Sequence, residues 1–124
     1  MLFKEPGSIN SISEGYEFLY IGTSHGGIYR YNLYGNQYDF PITTAQGLVS
    51  NNVNSVHFDH KTGIVWASSP GIIQYSYTRE GNWRHIDFID IGLTIKDRIK
   101  SWSTKDQVIE IIRYRYGLLE DQAA

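Results

Sequence analysis

Two histidines and an aspartate stand within four consecutive residues, and they are the part of this sequence with the most obvious capacity for chemistry. His57, Asp59 and His60 supply imidazole and carboxylate groups, which are ligand types of zinc sites. A metal site needs three or four convergent ligands. The same segment also fits the shoulder of a hairpin, where Asp59 bonds the amides of the turn. We adopt the hairpin interpretation, so the sequence predicts no metal and no cofactor.

A glycine-rich segment, residues 22–27, has the composition of a phosphate-binding loop. Such a loop needs a helix after its glycines and, in the Walker form, a lysine. Residues 28–31 have the character of a strand instead, which predicts a turn between two strands. Ser24 and His25 are adjacent, and neighbours on a strand point apart, so they do not form a nucleophile and its base. With the carboxylates scattered along the chain, the sequence predicts a protein that is not an enzyme.

Two Tyr-x-Tyr pairs are the candidate interaction surface. Tyr29 and Tyr31 form one pair, and Tyr75 and Tyr77 form the other. Each pair projects to one face of its strand, because side chains alternate along a strand. One interpretation is an aromatic platform for a sugar or a peptide. The other, which we favour, is packing between neighbouring repeat units, since aromatic residues fill such sheet faces.

The elements that position these residues belong to a motif that occurs twice. Residues 9–12 (Ile-Asn-Ser-Ile) and 53–56 (Val-Asn-Ser-Val) begin 44 positions apart, as 53 minus 9 gives, and Gly27 and Gly71 have the same separation. A strand-rich period of this length indicates propeller blades. Each copy contains four short strand patterns divided by turn residues, the meander of such a blade. The predicted fold is therefore all-β.

The predicted organisation is a propeller-like domain over residues 1–102, followed by a helical segment. The first blade covers about residues 9–42, the second about 53–88, and a partial third repeat covers 92–102. Residues 103–124 form the predicted C-terminal helical segment.

The C-terminal segment predicts an α-helix from about Thr104 to Tyr116, ended by Gly117. Its apolar residues recur at helical spacing, and a second apolar face suggests that the helix is buried. Such a helix would cover the strand edge that the second blade leaves. The apolar residues are Val108, Ile109, Ile111 and Ile112, of which Ile109 and Ile112 join the tyrosines as candidate interaction residues.

Composition narrows the function classes further. The 124 residues are 41% hydrophobic and 19% charged, with a net charge of −2 and no cysteine. No basic block is present, so the sequence predicts no nucleic-acid partner. Without cysteine, a disulfide scaffold and a thiol nucleophile are excluded. No signal-peptide pattern and no run of about 18 apolar residues is visible, so no membrane partner is expected, and the localisation stays open between cytoplasmic and virion-associated.

The second copy resembles the two-component regulator propeller repeat. A Gly-Leu pair, an Asn-x-Val stretch, an Asp before a Gly, and a Trp-containing strand occur in that family's order. The residues that carry the resemblance are Gly47-Leu48, 53–56, Phe58-Asp59, 63–66, Gly71-Ile72 and Tyr75, with 20–23 and 26–28 in the first copy. The resemblance covers roughly residues 9–101. It implies a propeller fold and, through the family's sensors, ligand sensing.

The architecture leads to two function hypotheses. Two blades do not close a ring, since propellers have about four to eight blades, and open units leave apolar faces exposed. We therefore expect other copies of the chain, or a larger protein assembly, to complete it. The leading hypothesis is a non-catalytic interaction or assembly module, such as a structural component of a phage tail. The alternative is a saccharide-sensing propeller fragment of a two-component regulator.

Overall fold

Three antiparallel meanders form the chain. The computed structural model describes residues 7–77, 81–105, 108–115 and 118–123. Sheet 1 contains β1 (Ile9–Glu14), β2 (Phe18–Thr23), β3 (Ile28–Asn32) and β4 (Gln37–Tyr38). Sheet 2 contains β5 (Ser55–Phe58), β6 (Ile64–Ser69), β7 (Ile72–Tyr77) and β8 (Arg84–Asp87). Sheet 3 contains β9 (Arg98–Lys105), β10 (Val108–Arg115) and β11 (Leu118–Ala123).

Strand order within each sheet follows the chain, and every neighbouring pair of strands is antiparallel. Short 3-10 helices, Thr44–Gln46 and Phe88–Ile91, follow sheets 1 and 2. The prediction of an all-β chain with two four-stranded sheets is confirmed. Its local basis is the alternation of branched and aromatic residues with small or polar ones, which suits a pleated sheet covered on both faces.

The first apolar core lies between sheets 1 and 2. Tyr20 and Ile28 project from one face of sheet 1 and are 3% and 0% exposed. They pack on one face of sheet 2, where the buried residues are Val56, Phe58, Val65 and Ala67. Leu48 and Val53, in the connection between the sheets, complete this core.

The second core lies on the opposite face of sheet 2. Ile73 is 4% exposed and packs with Phe88, Leu93 and Ile99. Trp66 and Trp102 lie at the side of this cluster, with ring centroids 6.2 Å apart. Because neighbours on β6 point to opposite faces, Val65 belongs to the first core and Trp66 to the second. The three sheets are therefore stacked in series. Tyr20 and Trp66 each project from the second strand of one sheet onto the next sheet.

Side chains rather than backbone pairing join β1 to β5. Ser11 Oγ accepts a hydrogen bond from Val56 N at 3.1 Å, and Ser13 Oγ accepts one from Phe58 N at 2.8 Å. At the next interface Trp102 Nε1 donates to Ser55 Oγ at 2.8 Å. The two bonds from Val56 N and Phe58 N satisfy backbone groups at the edge of β5, while the sheets stay separate.

The predicted C-terminal helix is wrong. Where the prediction placed a helix from Thr104 to Tyr116, β9 runs on to Lys105 and β10 covers Val108–Arg115. Ile111 pairs with Trp102, and Ile112 pairs with Ser101. The predicted end of the helix, at residues 116–117, lies outside the described residues.

The physical reason is the β-branching of this segment. Four of the five residues from 108 to 112 are valine or isoleucine, whose stiff side chains disfavour a helix and suit a strand. Antiparallel pairing with β9 and with β11 then supplies hydrogen-bond partners for the backbone N–H and C=O groups of β10. Strands β9, β10 and β11 thus form a third sheet.

Candidate functional site

The segment with two histidines forms a hairpin shoulder, as we predicted from turn chemistry. Asp59 Oδ1 accepts from Lys61 N at 3.1 Å, and Oδ2 accepts from the Thr62 hydroxyl at 2.6 Å. Its own carbonyl accepts from Gly63 N at 2.8 Å. In the part of the chain that the structure describes, no group of three or more His, Asp and Glu side chains is placed to hold a metal ion.

His57 lies at the interface between sheets 2 and 3. It pairs with Trp66 across β5 and β6, and its ring is parallel to that of Trp102, with centroids 6.2 Å apart. Burial lowers the pKa of His57, the charge of Asp59 opposes this shift, and His60 adds to it. The imidazole therefore stays neutral in the fold more readily than in the unfolded chain.

Acidification should weaken the fold through His57. Because its pKa is lower in the folded protein than the ordinary 6.5, the unfolded chain binds the proton first as the pH falls, and stability is lost below about 6.5. We expect the free energy of unfolding from urea titrations to fall between pH 7.5 and 5.5. The matched variant His57→Gln should show a flatter dependence, and an unchanged slope in that variant would contradict the assignment.

Tyr29 and Tyr31 lie on the face of sheet 1 that is turned away from sheet 2. The Tyr38 ring packs edge-on against both, at 6.4 Å from Tyr29 and 5.2 Å from Tyr31. A cavity of about 300 Å³ opens on this face. Its lining is Ile9, Ile21, Thr23, Tyr29, Tyr38, Asp39 and Pro41. We name the surface formed by Ile9, Ile12, Tyr29, Tyr31 and Tyr38 the free face of sheet 1.

The other predicted residues are not on this surface. Tyr75 stacks on Trp66, with centroids 4.9 Å apart, on the face of sheet 2 that meets sheet 3. Tyr77, at the end of β7, is 45% exposed. Ile109 and Ile112 lie on β10, opposite Thr104 and Ser101. The structure therefore does not unite the two tyrosine pairs in one platform.

A cleft between sheets 1 and 2 was missed by the sequence reasoning. It has a volume of about 180 Å³. Strands of both sheets and the two loops beside them contribute its walls, which are Phe18, Tyr20, Arg30, Ile42, Gln46, Val65, Ser76, Tyr77, Gly81 and Trp83. These residues are scattered from position 18 to position 83, so no motif or spacing in the sequence signals the cleft.

Arg30 is the charged residue in the wall of the cleft. Its Nε and Nη2 donate to the carbonyl oxygen of Phe40 at 3.2 and 2.9 Å, and its guanidinium lies 5.1 Å from the centre of the Phe18 ring. Among the described residues, no carboxylate lies within ion-pair distance of Arg30. The cleft thus presents a positioned cation beside aromatic rings.

Tyr20 is a further residue of the cleft wall. Burial raises its pKa to about 12, while Arg30 lowers it and Glu17 raises it. The phenol therefore ionises less readily in the fold than in the unfolded chain.

Comparison with known proteins gives a likeness of fold. No family model and no curated protein matches the chain. The extracellular domain of the hybrid two-component system BT4673 from B. thetaiotaomicron is similar with a TM-score of 0.69 and 16% identity, over 96% of this chain and 17% of that one. The extracellular domain of the hybrid two-component system BT3049 from the same organism is similar with a TM-score of 0.61 and 13% identity, over 90% of this chain and 18% of that one. Sqt1 from Saccharomyces cerevisiae is similar with a TM-score of 0.58 and 18% identity, over 86% of this chain and 28% of that one.

These likenesses concern the fold alone. Two of the three proteins are extracellular domains of two-component systems, the class to which the sequence resemblance points. The chain spans less than a third of the length of each of the three. The helices within the described ranges are short 3-10 turns, without the length or apolar character of a membrane span.

Proposed function

We propose that this chain is part of a ligand-sensing propeller domain of the two-component type, in which sheets 1 and 2 are blades and sheet 3 is the next blade. Its ligand is a saccharide, bound without catalysis in the cleft between sheets 1 and 2. The observation that carries the proposal is that cleft, where aromatic rings and a positioned cation meet between two stacked sheets.

The stacking of the sheets supports the propeller assignment. Sheet 1 packs on sheet 2 through Tyr20, and sheet 2 packs on sheet 3 through Trp66, in the same direction both times. Blades that pack on one another in this order close into a ring when enough of them are present, about four to eight. The chain covers 17% of the BT4673 domain, so further blades are part of this proposal.

The walls of the cleft support a saccharide. Binding sites combine apolar and aromatic walls with a few placed polar groups, and the cleft has Trp83 and Tyr77 beside Gln46 and Arg30. Its volume of about 180 Å³ is below the roughly 300–1,000 Å³ of sites for drug-sized ligands. A single ring or chain end fits such a volume. Because a guanidinium pairs well with a carboxylate, the preferred sugar is an acidic one.

The particle-building role, such as a phage tail component, stays a prediction, as does the absence of enzymatic activity. No observation on the described residues bears on either.

Binding of glucuronate tests the proposal. We expect titration calorimetry to show tighter binding of glucuronate than of glucose, since only the acid engages Arg30. In Arg30→Gln the affinity for glucuronate should fall at least about tenfold, because a hydrogen bond to a charged group contributes about 1.5–3 kcal/mol. Trp83, in the cleft wall, offers a fluorescence signal for the same titration.

Arg98→Gln is the matched control, because Arg98 is an exposed arginine of sheet 3 outside the cleft lining. It should leave the affinity unchanged. Thermal melts of both variants show whether they are folded. Folded protein that binds neither sugar, or an equal loss in both variants, would contradict the proposed site.

A further inference from the structure

We propose that Gln46 is a second anion-binding residue of the cleft, and that its side-chain amide holds a ligand carboxylate together with Arg30. The inference rests on the proposed function and deepens it, because it assigns a further residue that selects an acidic sugar. The observation that carries it is that Gln46 lines the cleft while its side-chain oxygen is already bonded, so that Gln46 has only donors left for a ligand.

The side-chain oxygen of Gln46 is engaged by Thr43. Oε1 accepts from Thr43 N at 2.8 Å and from the Thr43 hydroxyl at 2.9 Å. Thr43 Oγ1 in turn accepts from Ala45 N at 3.2 Å, which completes a capping box at the start of the 3-10 helix. The backbone donor of Thr43 fixes the orientation of the Gln46 amide, because the reversed orientation would place its NH2 group against an N–H group.

The amide nitrogen of Gln46 is therefore the group left for a ligand. Among the residues that the structure describes, no acceptor is hydrogen-bonded to Nε2. Gln46 is exposed, so a ligand in the cleft reaches this nitrogen from solvent. An amide NH2 group donates two hydrogens and accepts none. It thus favours a ligand group that only accepts, which is the character of a carboxylate.

Arg30 presents further donors to the same cleft. A guanidinium has five N–H donors, and the carbonyl oxygen of Phe40 takes one from Nε and one from Nη2, which leaves three for a ligand. A carboxylate has about four lone-pair sites. Arg30 therefore leaves room on a bound carboxylate for a donor from a second residue.

Backbone pairing joins the segment of Gln46 to the strand of Arg30. Arg30 lies on β3, where Ile28 N donates to Ile42 O at 2.9 Å and Ile42 N donates to Ile28 O at 2.8 Å. The capping box then fixes the chain between Ile42 and Gln46. The two donor groups thus come from backbone segments that are held together, as a binding site with placed polar groups requires.

Binding of glucuronate to two Gln46 variants of the whole chain tests the assignment by titration calorimetry. Gln46→Glu keeps an acceptor for the capping box, in which glutamate also occupies this position, but it has no donor. Gln46→Met removes the donor without adding a charge. In both variants we expect the affinity for glucuronate to fall at least about tenfold, because each loses a hydrogen bond to a charged group. Thermal melts check that both variants are folded.

Gln37→Glu is the matched control, because Gln37 is an exposed glutamine of sheet 1 outside the cleft lining. It adds the same charge as Gln46→Glu and should leave the affinity unchanged. Wild-type affinity in either folded Gln46 variant, or an equal loss in Gln37→Glu, would overturn the role of Gln46, while a loss in Arg30→Gln would still support the cleft as the site. A wild type that binds no glucuronate would overturn the proposed function and this inference with it.

Discussion

Replacing Phe58 by alanine is expected to lower the free energy of unfolding by about 3–5 kcal/mol, the range for truncating a buried aromatic residue. Phe58 is 2% exposed and lies where sheet 1 meets sheet 2. The rings of Tyr16, His60 and Tyr20 surround it, with centroids 4.9, 5.0 and 5.7 Å away. Backbone groups cannot collapse into the resulting cavity, because Phe58 N is held by Ser13 Oγ. Urea titration at neutral pH measures the loss.

Phe40→Ala is the matched control for this substitution. Phe40 is 68% exposed, and its link to Arg30 uses the backbone carbonyl, which alanine keeps. We expect a change within about 0.5 kcal/mol, as for most surface substitutions. Similar losses in the two variants would show that sheets 1 and 2 do not pack through Phe58.

Gly27→Ala is expected to destabilise the chain by about 2–5 kcal/mol, the sum of about 1–2 for a left-handed residue with a Cβ and about 1–3 for overpacking. Gly27 has φ +74°, and a Cβ there would overlap the carbonyl oxygen of Ile42. The backbone cannot yield easily. Gly27 N donates to Asn51 O at 2.9 Å, and Gly27 O accepts from Thr23 N at 3.0 Å.

Gly63→Ala separates the cost of the left-handed backbone conformation from the cost of overpacking. Gly63 has nearly the same conformation, φ +78°, but a Cβ there has no described heavy atom within 4 Å. This variant should lose only the conformational part, about 1–2 kcal/mol. Thermal and urea unfolding of both variants give the comparison. Equal losses would contradict the contact between Gly27 and Ile42.

Several features of this fold follow from local sequence. The 44-residue repeat and the alternation within each strand predict two four-stranded sheets, and both sheets form. The Asp59 hairpin is also local, because the carboxylate bonds residues two and three positions along the chain. Strand alternation and turn chemistry act over a few residues, so the sequence alone determines them.

The C-terminal segment shows where local patterns fail. Apolar residues at 108, 109, 111 and 112 fit a buried helix and a buried strand equally well by spacing. This segment forms a strand because it pairs with β9. Its β-branched residues also favour a strand over a helix. Such pairing is a tertiary property, because it depends on which partner strand is available.

The sheet face on which each tyrosine lies depends on the length of the hairpin that precedes its strand. Tyr29 and Tyr31 lie on the face of sheet 1 that is turned away from sheet 2, whereas Tyr75 lies on the face of sheet 2 that meets sheet 3, and Tyr77, at the end of β7, lines the cleft between sheets 1 and 2. Between the nearest paired residues, the hairpin of sheet 1 has five residues, from Gly22 to Ile28, and that of sheet 2 has two, from Ser69 to Ile72. The difference of three is odd, and an odd shift turns a strand's side chains to the other face.

The cleft and the free face are decided by tertiary structure alone. The aromatic groups of the cleft come from both sheets and from the loop before β8, and its charged group comes from β3. Ile12 and Val56 have similar surroundings in sequence, yet one is exposed and the other buried. The sequence determines that both are apolar strand residues. The stacking of the sheets decides which of them has a partner, since burial requires a second surface that only the folded chain, or another copy, provides.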